Sequence, residues 1–237
     1  MKNITILGST GSIGVNALNV IDNLDEDYKV FGLSAYKNID TILAQIKKYK
    51  PEVVAVADLS AANSVKEKLN NYDVSILSGR SGLLELASRA DVDILLNALV
   101  GSSGMEPTIC AIKSSVDVAL SNKESLVMAG EIIESEKNKS GAKIFPVDSE
   151  HSAIWQCLQG ESQSIRTLFI TASGGPFRNV ALENFRAITP EQALKHPTWV
   201  MGRKITIDSS TLMNKAFEVI ESHWLFSLPF DQIAVTI

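Results

Sequence analysis

Cysteine is scarce in this chain. Two residues in 237, Cys110 and Cys157, stand far apart and in no metal-binding or redox spacing. That argues against a disulfide-framed secreted scaffold and predicts two buried, reduced thiols in a reducing compartment. Positive charge is also short: 22 Lys and Arg against 27 Asp and Glu give a formal net charge of −5. No general affinity for nucleic acid or for an anionic membrane surface is expected from that balance. No apolar run approaches the roughly 18 residues that a membrane span needs. Met1-Lys2-Asn3 leads straight into the strand-like Ile4-Thr5-Ile6-Leu7, with no targeting character, so the expected location is cytoplasmic. Repeats and low-complexity segments are missing too.

What is present is ordinary globular composition, 45% hydrophobic and 21% charged. At roughly 150 residues per domain, this length allows one large domain or two modest ones. Through residue 148, short apolar β-branched runs alternate with longer amphipathic stretches. Strands are predicted at 4–7, 29–34, 53–57, 74–77, 94–98, 116–120 and 143–147, and helices at 13–23, 39–49, 61–69, 82–88, 107–114 and 123–138. Such alternation predicts an α/β fold, a mostly parallel sheet with helices on both faces. Beyond Asp148 the texture changes. A helix at 152–158, a strand at 167–171, a glycine turn, a second strand at 204–208 and a helix at 210–226 predict an α+β domain over 149–237. The last residues, Ala234-Val235-Thr236-Ile237, read as the opening of another strand, so this second domain is expected to be incomplete.

The first strand runs into Gly8-Ser9-Thr10-Gly11-Ser12-Ile13-Gly14, a GxxGxxG spacing, with a helix after it. Glycines there allow a sharp turn and close approach of backbone to a pyrophosphate, and the helix start offers free N–H groups to it. The loop's place between strand and helix at the start of the chain makes this a Rossmann-type dinucleotide fingerprint rather than a plain turn. At the end of the second strand, Ser34-Ala35-Tyr36-Lys37-Asn38 lacks the carboxylate that would bind ribose hydroxyls, and Lys37 suits a 2′-phosphate. NADPH is the expected cofactor.

Asp148 and Glu150 follow the seventh predicted strand. In an extended segment, residues two apart point the same way, so the pair could offer a hard oxygen site to Mg2+ or Mn2+. The same Asp-Ser-Glu could equally cap a helix. A third carboxylate, Glu218, favours the metal. It lies four residues after Asn214 on the polar side of the last helix, beside Lys215, with Leu212, Met213, Ala216, Phe217, Ile220 and Trp224 as the expected core face. That helix is read as following a strand and starting at Ser209-Ser210, where its first turn could hold a phosphate. The turn Thr171-Ala172-Ser173-Gly174-Gly175 could form an anion nest. Ser121-Asn122-Lys123-Glu124 sits at another strand-to-helix junction, expected to face the nicotinamide. Trp199 to Lys204 has the composition of a closing flap.

Together the segments GSTGSIG (8–14), SNKES (121–125), PVDSEHSAIWQ (146–156), TASGGPFR (171–178), HPTWVMGRKITIDSSTLMNK (196–215) and FEVIE (217–221) closely resemble the 1-deoxy-D-xylulose 5-phosphate reductoisomerase family. The resemblance covers essentially the whole chain, in family order. It implies a metal-dependent isomerisation of a small phosphorylated sugar, then reduction by NADPH to 2-C-methyl-D-erythritol 4-phosphate for isoprenoid precursors. It implies Asp148, Glu150 and Glu218 as metal ligands, and, with Lys123, as the catalytic set. Substrate contacts would be Lys123, Ser149, Glu150, Ser173, His196, Ser209, Asn214, Lys215 and Glu218. NADPH contacts would be Thr10, Gly11, Ser12, Ile13, Lys37, Asn38, Asn122, Glu124 and Gly202. It further implies a Rossmann domain over 1–148, a catalytic domain over 149–237, a C-terminal helical domain absent from this sequence, and a homodimer in the family. Tyr36 departs from the glycine that many members carry. Two other readings fit part of the pattern: a metal-free NADP-dependent dehydrogenase, which leaves the three carboxylates unexplained, and an NADPH-binding form without turnover.

Overall fold

A computed structural model describes residues 1–24, 28–69, 72–197 and 200–237. The chain divides into two compact units, Met1–Asp148 and Ser149–Ile237.

In the first unit, seven strands form one all-parallel sheet: β1 (Lys2–Leu7), β2 (Tyr28–Ala35), β3 (Val53–Val56), β4 (Ser75–Ser78), β5 (Ile94–Asn97), β6 (Asp117–Leu120) and β7 (Ile144–Pro146), in the order β4-β3-β2-β1-β5-β6-β7. Six helices connect them: α1 (Ser12–Ile21), α2 (Ile39–Tyr49), α3 (Leu59–Lys68), α4 (Gly79–Ala87), α5 (Met105–Lys113) and α6 (Lys123–Ser140). Every expected strand and helix of this half is present, with ends moved by a few residues. The connecting helices cover the sheet, α2 packing with α3, and α5 with α4 and α6. The strands can be almost wholly apolar because both faces are covered: Val53, Val54, Ala55 and Val56 of β3 are all buried. The core continues through Ile6, Leu33, Ile42, Ile46 and Val65. Strand order reverses between β1 and β5. The carboxyl ends of strands at such a switch point are where open α/β sheets bind ligands.

The second unit holds α7 (Ser149–Cys157), β8 (Leu168–Thr171), α8 (Pro190–Ala193), α9 (Arg203–Asp208), α10 (Met213–Phe226) and β9 (Ile233–Thr236). β8 and β9 pair in parallel, Leu168 opposite Ile233 through Thr171 opposite Thr236. Leu168, Ile170 and Leu228 centre a small core with Ile154, Val219 and Phe226 against them.

Several expectations change here. Residues 204–208 form helix α9, not a strand. Their alternation imitates a strand, but Gly202 caps a helix, Thr206 Oγ1 donates to Gly202 O at 2.8 Å, and Lys204 pairs with Asp208 one turn on at 2.7 Å. The last helix therefore follows a helix and starts at Met213, so Ser209 caps the end of α9 instead of opening α10. Residues 149–150 are not extended but open α7, with Glu150 in its first turn. Both cysteines are free, yet neither is buried: Cys110 is half-buried and Cys157 exposed. Among the described residues, no helix is long and apolar enough to cross a membrane.

Candidate functional site

At the switch point of the first unit, a cavity of about 590 Å³ is lined by Gly8, Thr10, Gly11, Ser34 to Tyr36, Ala57, Arg80 and Ala98 to Val100. Three buried polar residues pin the glycine loop over it. Ser34 Oγ accepts the Gly8 N–H at 2.9 Å, and Ser34 O accepts the Ser9 N–H at 2.9 Å. Ser9 Oγ lies 2.7 Å from Gln45 Oε1, and Gln45 Nε2 donates to Ser9 O at 2.8 Å. Ser34 and Gln45 were not among the expected functional residues. The only signal for them was a polar residue in an otherwise apolar strand and in a helix's inner face. Removing the Ser34 hydroxyl leaves the Gly8 N–H without its acceptor, which costs about 1–3 kcal/mol. Ser34→Ala should therefore lower stability by that order in chemical denaturation.

Thr10 and Gly11 line the cavity, and Ser12 opens α1. Ile13 is the second residue of α1 and borders an apolar groove with Ala17 and Val20. Lys37 and Asn38 follow β2 directly beyond Tyr36. Asn38 caps α2 by accepting the Thr41 N–H at 3.2 Å. Tyr36 is largely exposed at the cavity rim and does not pack into the core. Asn122 caps α6 by accepting the Ser125 N–H at 3.0 Å, and its amide donates to Leu99 O and Gly101 O at 2.9 Å each. This ties the start of α6, with Glu124 in its first turn, to the cavity wall. The buried Lys123 ammonium pairs with Asp148 at 2.7 Å.

The second unit gathers its charges on one helix. The expected core face of α10 is wrong: Leu212, Met213 and Ala216 are exposed and Phe217, Ile220 and Trp224 half-buried, whereas Lys215, Glu218, Glu221 and Ser222 are buried. Periodicity reports an amphipathic helix but assumes that the apolar stripe faces inward. A polar stripe goes inside when its groups are paired. Lys215 Nζ donates to Glu150 Oε1 at 2.9 Å, to Thr171 O at 2.6 Å, and to Glu218. Asn214 Nδ2 donates to the other Glu218 oxygen at 2.5 Å. Ser149 Oγ donates to Glu150 at 2.5 Å. Burial alone would raise the Glu150 carboxyl's pKa, but the Ser149 and Lys215 hydrogen bonds and the Lys215 charge outweigh it and hold the group below its usual value. The charged form persists as pH falls, and its stabilising effect is lost only through that lowered pKa.

A second cluster surrounds the glycine turn after β8. Ser173 Oγ and His196 Nε2 approach to 3.5 Å, and the Gly175 N–H donates to Ser173 Oγ at 3.4 Å. Gly174 and Gly175 adopt positive φ, and a Cβ on Gly175 would collide with Ser209 O, so the turn and the end of α9 pack backbone to backbone. Ser209 is thereby placed beside the turn. Gly202 sits at the start of α9. Trp199, which opens the expected flap, lies outside the described residues.

Known proteins match both halves of this chain. A family model described as 1-deoxy-D-xylulose 5-phosphate reductoisomerase matches residues 4–130, and one for the C-terminal domain of that enzyme matches residues 144–226. The curated 1-deoxy-D-xylulose 5-phosphate reductoisomerase of Thermodesulfovibrio yellowstonii is 48% identical over 238 residues, spanning 100% of this chain and 62% of its own length. A crystal structure of DOX-P reductoisomerase in complex with NADPH, fosmidomycin and magnesium superposes with a TM-score of 0.92 at 37% identity, covering 99% of this chain and 60% of that one. The Zymomonas mobilis enzyme in complex with NADPH gives a TM-score of 0.90 at 39% identity, with the same coverage of 99% and 60%. This chain thus spans about three-fifths of the length of these relatives. With both family models matched in order, and the glycine loop and the paired carboxylates set on the fold of those relatives, the chain belongs to the 1-deoxy-D-xylulose 5-phosphate reductoisomerase family.

Proposed function

We propose that this chain carries the NADPH site and the divalent-metal and substrate site of an enzyme converting 1-deoxy-D-xylulose 5-phosphate to 2-C-methyl-D-erythritol 4-phosphate. The observation that carries this reading is the convergence of Glu150 and Glu218 on one cationic nitrogen, with carboxylate oxygens within 4.8 Å of each other. Two carboxylates aimed at one positive charge are an oxygen donor set that fits Mg2+ or Mn2+. Asp148, two residues before Glu150, is the proposed third ligand. The cofactor also fits: the glycine loop borders a cavity of about 590 Å³, and Lys37, the residue after Tyr36 of that lining, is the proposed partner of a 2′-phosphate.

When bound, the metal polarises the hydroxy-ketone as a Lewis acid and NADPH supplies the hydride. The rest is positioning by the chain. Lys215, Asn214, Ser209, His196 and Ser173 hold the phosphorylated substrate, with Ser149 and Lys123 at its reacting end. Lys123 also keeps Asp148 oriented through their ion pair. Thr10, Gly11, Ser12, Ile13, Lys37, Asn38, Asn122, Glu124 and Gly202 are the proposed NADPH contacts. The proposed location is cytoplasmic, in keeping with the use of NADPH and with the two free thiols. The family resemblance extends the proposal to a homodimer, which sedimentation velocity tests: a monomer at every concentration contradicts it.

A metal-free dehydrogenase would use the same cofactor cavity but leaves the arrangement of half-buried Glu150 with buried Lys215 and Glu218 without a purpose. Titration calorimetry with 1-deoxy-D-xylulose 5-phosphate decides between them. Binding should require Mg2+ and be abolished by Glu150→Gln. A variant that binds as well as the parent would rule out the metal site.

A further inference from the structure

One buried group in the second unit has no role in the reaction as proposed. The His151 imidazole is fully buried, one residue after Glu150 in α7. Its Nε2 lies 2.9 Å from the backbone carbonyl of Glu218 and 2.9 Å from Ser222 Oγ. Its Nδ1 faces the Glu221 carboxylate at 3.5 Å, and Glu221 is also fully buried. Phe226 lies parallel to the ring, with centroids 6.3 Å apart and an interplanar angle of 7°. Residues 218, 221, 222 and 226 fall on one side of α10, so a single imidazole grips one face of that helix along two turns.

Burying a histidine and a glutamate together carries a desolvation cost that an apolar pair would avoid. What the arrangement provides is a fixed separation. His151 is the chain neighbour of Glu150, and it touches the backbone of Glu218. The crosslink joins the residue after Glu150 to the backbone of Glu218 itself, on the same buried face of α10 that carries Lys215. Lys215 ties the two carboxylates through their side chains, and His151 ties the backbones that carry them. A loop-borne carboxylate could drift, whereas these two are tied through side chain and backbone alike.

We infer that His151 and Glu221 are positioning residues that set the spacing of the Glu150 and Glu218 carboxylates for a divalent cation. This rests on the metal reading proposed above. Outer groups that orient metal-binding side chains typically account for about 10–100-fold in metal affinity. The test is Mn2+ binding to the whole chain, by electron paramagnetic resonance of the free ion, in the parent, His151→Phe and Glu221→Gln. Circular dichroism fixes a temperature at which each is folded, and NADPH affinity, whose proposed contacts all lie in the first unit except Gly202, serves as control. Both variants should raise the Mn2+ Kd about 10–100-fold with the NADPH Kd unchanged. A merely structural role would lower the melting temperature and leave the Mn2+ Kd of the folded chain within twofold, and that result would overturn the inference. Should His151→Phe not fold, Glu221→Gln, which keeps the shape and an acceptor, decides by the same criterion. A parent that does not bind Mn2+ overturns the metal reading and this inference with it; a parent and variants that bind alike overturn only the inference.

Discussion

Lys215→Met should cost the second unit about 3–5 kcal/mol of stability when no divalent cation is supplied, the scale expected when one partner of a buried ion pair is removed. Lys215 is almost fully buried and serves Glu150, Glu218 and the Thr171 carbonyl at once. Methionine fills similar volume but leaves the buried Glu218 without this cation and the Thr171 carbonyl without this donor. The cost cannot be recovered by exposure, because Glu218 sits on the inner face of α10. Saturating Mg2+ should therefore stabilise the variant more than it stabilises the parent, since the ion supplies the positive charge that the substitution removed. Urea denaturation with and without Mg2+ measures both effects. A loss below about 1 kcal/mol, the range of exposed pairs, would mean that the charges are solvated and not held as described.

Gly14→Val should weaken NADPH binding about 10–100-fold and destabilise the first unit by about 1–3 kcal/mol, the usual cost of overpacking. A Cβ at Gly14 would stand 2.5 Å from Gly8 O and 2.5 Å from Ser9 Cα. Both are backbone atoms of the cofactor loop, so no rotamer change relieves the clash and the loop must move away from α1. Ser9 is locked to Ser34 and Gln45, so that movement also strains the network holding the loop. Fluorescence titration with NADPH reads the affinity, and Mn2+ binding at Glu150 and Glu218 should be unaffected. An unchanged NADPH Kd would show that the loop does not contact the cofactor.

The first unit was legible because its physics is local and repetitive. A stretch such as Val53 to Val56 is apolar at every position, as only a strand covered on both faces can be, and the helices between such stretches carry one apolar stripe each. The cofactor loop was legible for a related reason: glycines at the end of a strand have few other uses. The second unit resists the same reading. Residues 204–208 alternate like a strand, and what makes them helical is an N-terminal glycine and an i,i+4 pair too short in range to outweigh alternation. On α10 the sequence names three polar residues that hydrogen-bond together in the fold, Asn214, Lys215 and Glu218, but pattern cannot say whether a polar face is solvated or buried by mutual pairing. His151 and Glu221 were hidden altogether. A lone histidine and a glutamate 70 residues apart carry no signal until the fold puts them 3.5 Å apart.

The central claim is that one chain brings together an NADPH site and a carboxylate site for a divalent cation, for a single reaction. The most direct test is NADPH oxidation by this 237-residue chain in the presence of 1-deoxy-D-xylulose 5-phosphate, measured with Mg2+ and again with excess chelator. Oxidation that depends on both substrate and Mg2+, and that stops in chelator, is the predicted result. Turnover that continues undiminished in chelator, or no oxidation under either condition, would contradict it.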